Sequence, residues 1–142
     1  MAFDVQVVLD CAEPARLADF WAQALGYVVQ PPPGGYATWE DLLREMGVPE
    51  DQWTSRSAVV DPEGAGPRIF FQRVPEGKSV KNRMHLDVRA GGPLRGEERR
   101  ARLTEEVQRL TGLGAEQVQD MDELGEHWVV MRDPEGNEFC VT

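Results

Sequence analysis

Apolar and polar positions along the chain fall into two successive series of elements. Val5, Val7, Val8 and Leu9 make a short β-branched run that predicts a strand over residues 5–9. Cys11 to Pro14 then turns the chain, with proline placed near a helix start. Over residues 15–25, Leu17, Ala18, Phe20, Trp21, Ala24 and Leu25 recur at three- and four-residue steps. That spacing gives a helix one apolar face, and Gly26 ends it. Residues 27–30 resume an extended pattern, which Pro31, Pro32 and Pro33 break because proline donates no ladder hydrogen bond. Leu42, Leu43 and Met46 share one side of a short helix over 39–46 that stops at Gly47. Residues 57–60 and 68–74 read as two strands, and the turn sequence Asp61-Pro62-Glu63-Gly64 joins them into a hairpin.

The second series starts after a polar link over 75–81. Residues 83–88 alternate as a strand does, residues 91–93 form a loop, and residues 97–110 place Leu103, Val107 and Leu110 on one helical face before Gly112. Three further strands are predicted over 115–118, 128–131 and 137–141. Asp-Pro-Glu-Gly, first met at 61–64, returns at 133–136, again between two extended runs. Turn chemistry alone favours such residues, but the matching order of strand, helix and hairpin on both sides argues for duplication. Each half therefore reads βαβββ, module 1 over about 1–78 and module 2 over about 79–142, within one domain spanning 1–142.

Composition narrows the partners. A formal charge of −10, from 25 acidic and 15 basic residues, repels phosphate backbones and anionic lipid, so neither nucleic acid nor a membrane is an expected partner. The basic run Arg95, Arg99, Arg100, Arg102 is interleaved with glutamates, as on a solvated helix face. Two cysteines, Cys11 and Cys140, are too few for a disulfide framework, and no leader or long apolar span is visible, which places the chain in the cytoplasm.

The opening strand with Ala18-Asp19-Phe20-Trp21 and Leu25-Gly26-Tyr27, the mid-chain Asn82-Arg83-Met84-His85-Leu86-Asp87, and the closing stretch from Asp133 to Cys140 together carry a resemblance. The chain resembles the glyoxalase-like domains of the vicinal-oxygen-chelate superfamily, which includes glyoxalase I, extradiol dioxygenases, fosfomycin-resistance proteins and bleomycin-binding proteins. The resemblance implies an α+β fold in which two βαβββ modules form an incompletely closed eight-stranded barrel. In many members the concave face holds a divalent metal that chelates adjacent substrate oxygens, with one ligand from the first and one from the last strand of each module.

Carried over residue by residue, those positions fall on Gln6, Gln72, His85 and Cys140. Gln72 and Cys140 stand where the family has carboxylates, so the set supplies one negative charge at most, and only if the thiol ionises. The expected cofactor is either a divalent ion of the zinc, nickel, manganese or iron kind, or none held tightly. His85 is the candidate catalytic group, and His127 an auxiliary acid or base beside the acidic turn 122–126. Phe70, Trp53 and Trp128 would wall the cavity, with Gln6 and Gln72 as polar anchors. Two functions remain open: metal-assisted lyase- or isomerase-type chemistry on an oxygenated small molecule, and non-catalytic sequestration of a drug-like ligand. The resemblance also implies a homodimer, and the segment 31–53 can serve as a cover or a dimer arm.

Overall fold

The first strand already departs from its apolar pattern: β1 runs Val7–Cys11, two residues later than the run 5–9 predicts. Its limits are set by a parallel ladder to β4, which begins at Val7 opposite Ile69 and carries the polar Asp10 along opposite Gln72. The computed structural model describes all residues from Met1 to Thr142, in two compact units, Met1–Gly77 and Lys78–Thr142. Eight strands form two mixed four-stranded sheets, one per unit, neither closed on itself. The fold is α+β, two βαβββ modules, as the sequence pattern predicts.

In the first unit β1 is followed by α1 (Pro14–Leu25), β2 (Val28–Val29), α2 (Trp39–Glu45), a 3-10 turn at Glu50–Gln52, β3 (Arg56–Val60) and β4 (Ile69–Arg73). The sheet order is β1-β4-β3-β2. Successive strand side chains point to opposite faces. Val59, Ile69 and Phe71 are thereby buried on one face, which packs against Leu17, Ala18 and Trp21 of α1. Gly26 caps α1 in the left-handed region at φ 71°, a conformation only glycine adopts without strain. α2 and the 3-10 turn stand outside the sheet; Trp39 Nε1 donates to Gln30 O at 2.8 Å, and Thr38 caps α2 by accepting from Asp41 N.

The second unit holds β5 (Asp87–Val88), α3 (Gly96–Gly112), β6 (Glu116–Glu123), β7 (Glu126–Arg132) and β8 (Glu138–Val141), in the order β5-β8-β7-β6. Leu103, Val107 and Leu110 of α3 are buried, as are Val129, Met131, Phe139 and Val141 of the sheet. Two strands differ from expectation. The strand predicted over 83–88 is confined to Asp87–Val88, the two residues that pair with Cys140 and Val141 of β8. The strand predicted over 115–118 extends to Glu123 through residues too polar to signal it, held by backbone pairing with β7 and closed by Leu124 and Gly125, both at positive φ.

The repeated tetrapeptide folds the same way twice. Asp61 accepts from Glu63 N at 2.9 Å and Gly66 N at 2.8 Å; Asp133 accepts from Glu135 N at 2.9 Å and Asn137 N at 3.0 Å. Each aspartate thus satisfies the donors of its own turn. No helix is long and apolar enough to cross a membrane.

Candidate functional site

Each sheet has one face under its helix and one face away from it, and the candidate residues divide accordingly. In the first unit Val8, Asp10, Phe70 and Gln72 share the face away from α1, by the alternation that buries Ile69 and Phe71 beneath it. Gln72 Nε2 donates to Asp10 Oδ1 at 2.7 Å. Gln6 lies one residue ahead of β1, where its Oε1 accepts from Arg68 Nη1 at 2.7 Å. The Arg68 guanidinium also bonds Gln30 and lies 5.2 Å from the centre of the Phe70 ring. Gln6 is level with Arg68 and Gln72 with Asp10, four residues along the strand, so about 13 Å separates the two amides along it. Trp53 serves its own segment: Nε1 donates to Val48 O at 2.9 Å, and Arg44 stacks on its ring at 5.2 Å.

In the second unit the register places Asp87 opposite Cys140, and Cys140 opposite Val130. One donor atom each from His85, Asp87 and Cys140 lie within 4.8 Å of one another, and His85 Nε2 is 3.4 Å from Asp87 Oδ1. These groups border a cavity of about 430 Å³ whose apolar lining includes Trp128, Val130 and Phe139, with Lys81 and Arg99 also present. Burial pushes the Cys140 thiol pKa up; the Asp87 carboxylate adds to the rise and Lys81 opposes it. Burial also acts to raise Glu138, but hydrogen bonds from Asn82 and its own backbone, with Lys78 at 3.1 Å, bring it down to about 2. Glu138 is therefore occupied in fastening the 78–82 segment to β8.

His127 is a strand residue of β7, although the sequence placed it beside a turn. Its side chain is 10% exposed; Nε2 is 3.3 Å from Asp120 Oδ1, and Nδ1 is buried with no partner. Its carbonyl accepts from Arg99 Nη1 at 2.7 Å. It borders the Trp128 cavity and also a second one at the start of α3.

A family model described as the glyoxalase-like domain matches residues 6–142. The chain belongs to the glyoxalase-like family. No curated protein matches the sequence. Three solved structures share the fold across nearly the whole of this glyoxalase-like chain. A glyoxalase/bleomycin resistance protein/dioxygenase family enzyme from Burkholderia phytofirmans is 14% identical, with TM-score 0.59 over 96% of this chain and 94% of its own. The fosfomycin resistance protein FosX from Listeria monocytogenes is 10% identical, with TM-score 0.62 over 99% and 92%. A possible glyoxalase from Bacillus cereus is 13% identical, with TM-score 0.62 over 100% and 99%. The vicinal-oxygen-chelate fold is thus established for this chain.

The two halves of this glyoxalase-like chain are matched by their ladders. Val74 N–H donates to Cys11 O, and Thr142 N–H to Val88 O, as the last bond of each parallel pair. Gln72 is then equivalent to Cys140, Asp10 to Asp87, and Val8 to His85. Counting from Phe20 and Trp21 put Gln6 in the place of His85; the two-residue shift of β1 gives that place to Val8. Asp10 and Asp87 went unnoticed in the sequence, though His85-Leu86-Asp87 alternates in the way that puts two polar groups on one face.

The donor chemistry decides how far a family-type metal fits. An imidazole nitrogen, a carboxylate and a thiol within 4.8 Å match the ligand types of a zinc-like ion, and His85, Asp87 and Cys140 are the residues that would hold it. The raised thiol pKa means that such an ion must displace a proton to engage sulfur. The first unit's amides do not fit: Gln6 Oε1 already accepts from a guanidinium, which opposes a cation there.

Proposed function

We propose that this glyoxalase-like chain binds a small oxygenated molecule in the cavity over Trp128, with a zinc-type ion held by His85, Asp87 and Cys140. The supporting observation is the convergence of three different donors within 4.8 Å at the rim of a cavity lined in part by Trp128, Val130 and Phe139. When bound, the ion would act as a Lewis acid on substrate oxygens. The chain's own groups do the remaining work. With the lone pair of His85 engaged beside Asp87, the group left to take or return a proton at a carbon or oxygen next to the bound group, as lyase- or isomerase-type chemistry requires, is His127 at the border of the same cavity. Trp128 supplies a flat apolar wall for the ligand's body. We further propose that the two units act as one domain, that the chain works as a homodimer, and that it resides in a reducing cytoplasm, which suits two buried thiols.

The test is metal content by plasma mass spectrometry after dialysis against zinc, nickel, manganese and iron(II), using protein purified without a metal-affinity tag. Near-stoichiometric zinc in the wild type, lost in His85→Ala and Asp87→Ala, is the expected result. No metal under any of these conditions overturns the ion-dependent reading. It would favour sequestration without turnover. Light scattering on the same samples reads the dimer directly.

A further inference from the structure

The three donor residues of the candidate ion site all depend on β8, but they are not held equally firmly. Cys140 belongs to that strand, and Asp87 lies opposite it in the parallel ladder. Cys140 N–H donates to Leu86 O at 2.9 Å, and His85 precedes that bond. Arg83, Met84 and His85 make no backbone hydrogen bond. Met84 is 88% exposed, and the His85 side chain keeps 42% of its surface in solvent. An exposed bend of this kind has many conformations open to it, and holding one of them costs entropy at every residue. Something besides the ladder must hold the imidazole where it stands.

The anchor is Glu138. Asn82 N–H donates to its Oε2 at 2.9 Å, and Asn82 Nδ2 donates to its backbone oxygen at 3.5 Å. A backbone N–H bonded to a carboxylate is stronger than one bonded to a neutral acceptor. Lys78 Nζ lies 3.1 Å from Oε2 and 3.2 Å from Oε1, and it also reaches Val80 O, so residues 78–82 fold onto the carboxylate. The Glu138 side chain is 11% exposed, and both of its oxygens have partners in this segment. Glu138 and Cys140 are two residues apart on β8, so they point to one face, and both border the Trp128 cavity. Only Arg83, Met84 and His85 separate Asn82 at the carboxylate from Leu86 at the ladder. Pinned at both ends, this short span sets the imidazole 3.4 Å from Asp87.

We propose that Glu138 is the positioning residue of the ion site: through Asn82 N–H it fixes the bend that carries His85, and so brings the imidazole to the Asp87 carboxylate and the Cys140 thiol. The inference rests on the ion reading above for the role of His85, and it gives Glu138 no contact with ion or substrate. Partners that hold a metal-binding side chain in place govern metal affinity by about tenfold to a hundredfold. Cys140 and Asp87 are set by the ladder, so loss of the anchor releases the imidazole alone. The Lys78 ion pair adds stability, but the link from Glu138 to His85 runs through Asn82.

The experiment compares the full wild-type chain with Glu138→Ala, Glu138→Gln and Lys78→Ala, without metal and with cobalt(II) as a spectroscopic stand-in for zinc. Glutamine keeps an oxygen that accepts from Asn82 N–H, alanine keeps none, and Lys78→Ala removes the ion pair but leaves that bond. Glu138→Leu, which fills the space without an acceptor, takes the place of Glu138→Ala if the latter does not fold. In metal-free protein, NMR contacts from the His85 ring to the Asp87 and Cys140 side chains are expected in the wild type, Glu138→Gln and Lys78→Ala, and are expected to vanish in Glu138→Ala. With cobalt(II), Glu138→Ala is expected to keep the thiolate-to-cobalt absorption, lose the paramagnetically shifted imidazole N–H signal, and bind at least about tenfold more weakly. Glu138→Gln should keep both signals. Gly66→Ala, which lowers stability from the other unit, is expected to leave the site intact; if it or Lys78→Ala loses the His85 contacts, stability alone governs the site and the proposal is overturned. His85 contacts that persist in Glu138→Ala, or are missing from the wild type, also overturn it. So does a Glu138→Gln variant that loses the ion as completely as Glu138→Ala, which would make the carboxylate itself a ligand. If the wild type takes up no cobalt(II) while the metal-free contacts change as expected, the ion reading falls and the positioning of His85 by Glu138 stands.

Discussion

Asp87 stands directly opposite Cys140 across the parallel ladder of β5 and β8, and its carboxylate helps to keep that thiol protonated. The two side chains share a face because paired residues in a ladder point the same way. This pairing, with His85 two residues before Asp87, gathers three donor atoms within 4.8 Å of one another.

The same relationship sets a chemical expectation. In metal-free protein, Asp87→Asn removes one of the two influences that raise the Cys140 pKa, leaving burial. Alkylation of Cys140 by iodoacetamide at mildly alkaline pH should speed up severalfold in the variant, read by peptide mass spectrometry so that Cys11 is counted apart. An unchanged rate would show that Asp87 does not act on the thiol.

Glu138 predicts an acid limb of stability. Its folded pKa, about 2, lies below the ordinary 4.5, so its contribution is fully present above the unfolded value and is lost as pH falls from about 4.5 through about 2. Glu138→Gln should cost about 1 kcal/mol at pH 7 by weakening the Lys78 and Asn82 contacts. The gap between variant and wild type should close towards pH 2 in urea unfolding curves. A gap that is constant with pH would remove the ionic explanation.

Glu106 is buried on α3 between Arg102 and Arg109, whose guanidinium groups reach it at 3.1 Å each. The hydrogen bond from Arg109 is the main cause of its lowered pKa, with burial opposing. Both arginines remain partly in solvent and can relax into water. Glu106→Gln is therefore expected to cost about 1–2 kcal/mol rather than the larger penalty of an orphaned buried charge, as measured by chemical denaturation.

Gly66 is required by a close approach. A Cβ added there would lie 1.9 Å from Tyr27 Oη, so Gly66→Ala must displace the phenol and should destabilise by about 1–3 kcal/mol. Tyr27→Phe removes the clashing oxygen and should restore most of the loss in the double variant. A double variant as unstable as Gly66→Ala alone would show that the backbone, rather than the phenol, is at fault.

The sequence by itself determined what local chemistry can specify. Helix α1 follows from its apolar spacing, Pro14 and Gly26, and α3 from Leu103, Val107 and Leu110. The two Asp-Pro-Glu-Gly turns close themselves, because each aspartate bonds the amides just after it, and so the duplication could be read directly. His85 is picked out through the family resemblance and Trp128 as an aromatic residue of a predicted strand, and both border one cavity. The tertiary structure decided the rest. β6 is almost wholly polar and is a strand only because β7 pairs with it. β1 begins at Val7 because β4, about sixty residues away, sets its register, and that shift moves Gln6 off the ladder. His127 leaves the turn for a buried place beside Asp120, and Asp87 meets Cys140, through pairings that no local pattern encodes. A ladder is a contact between distant segments, and its register is fixed by which faces can be buried, so a shift of one residue would exchange every face that the sequence alone had assigned.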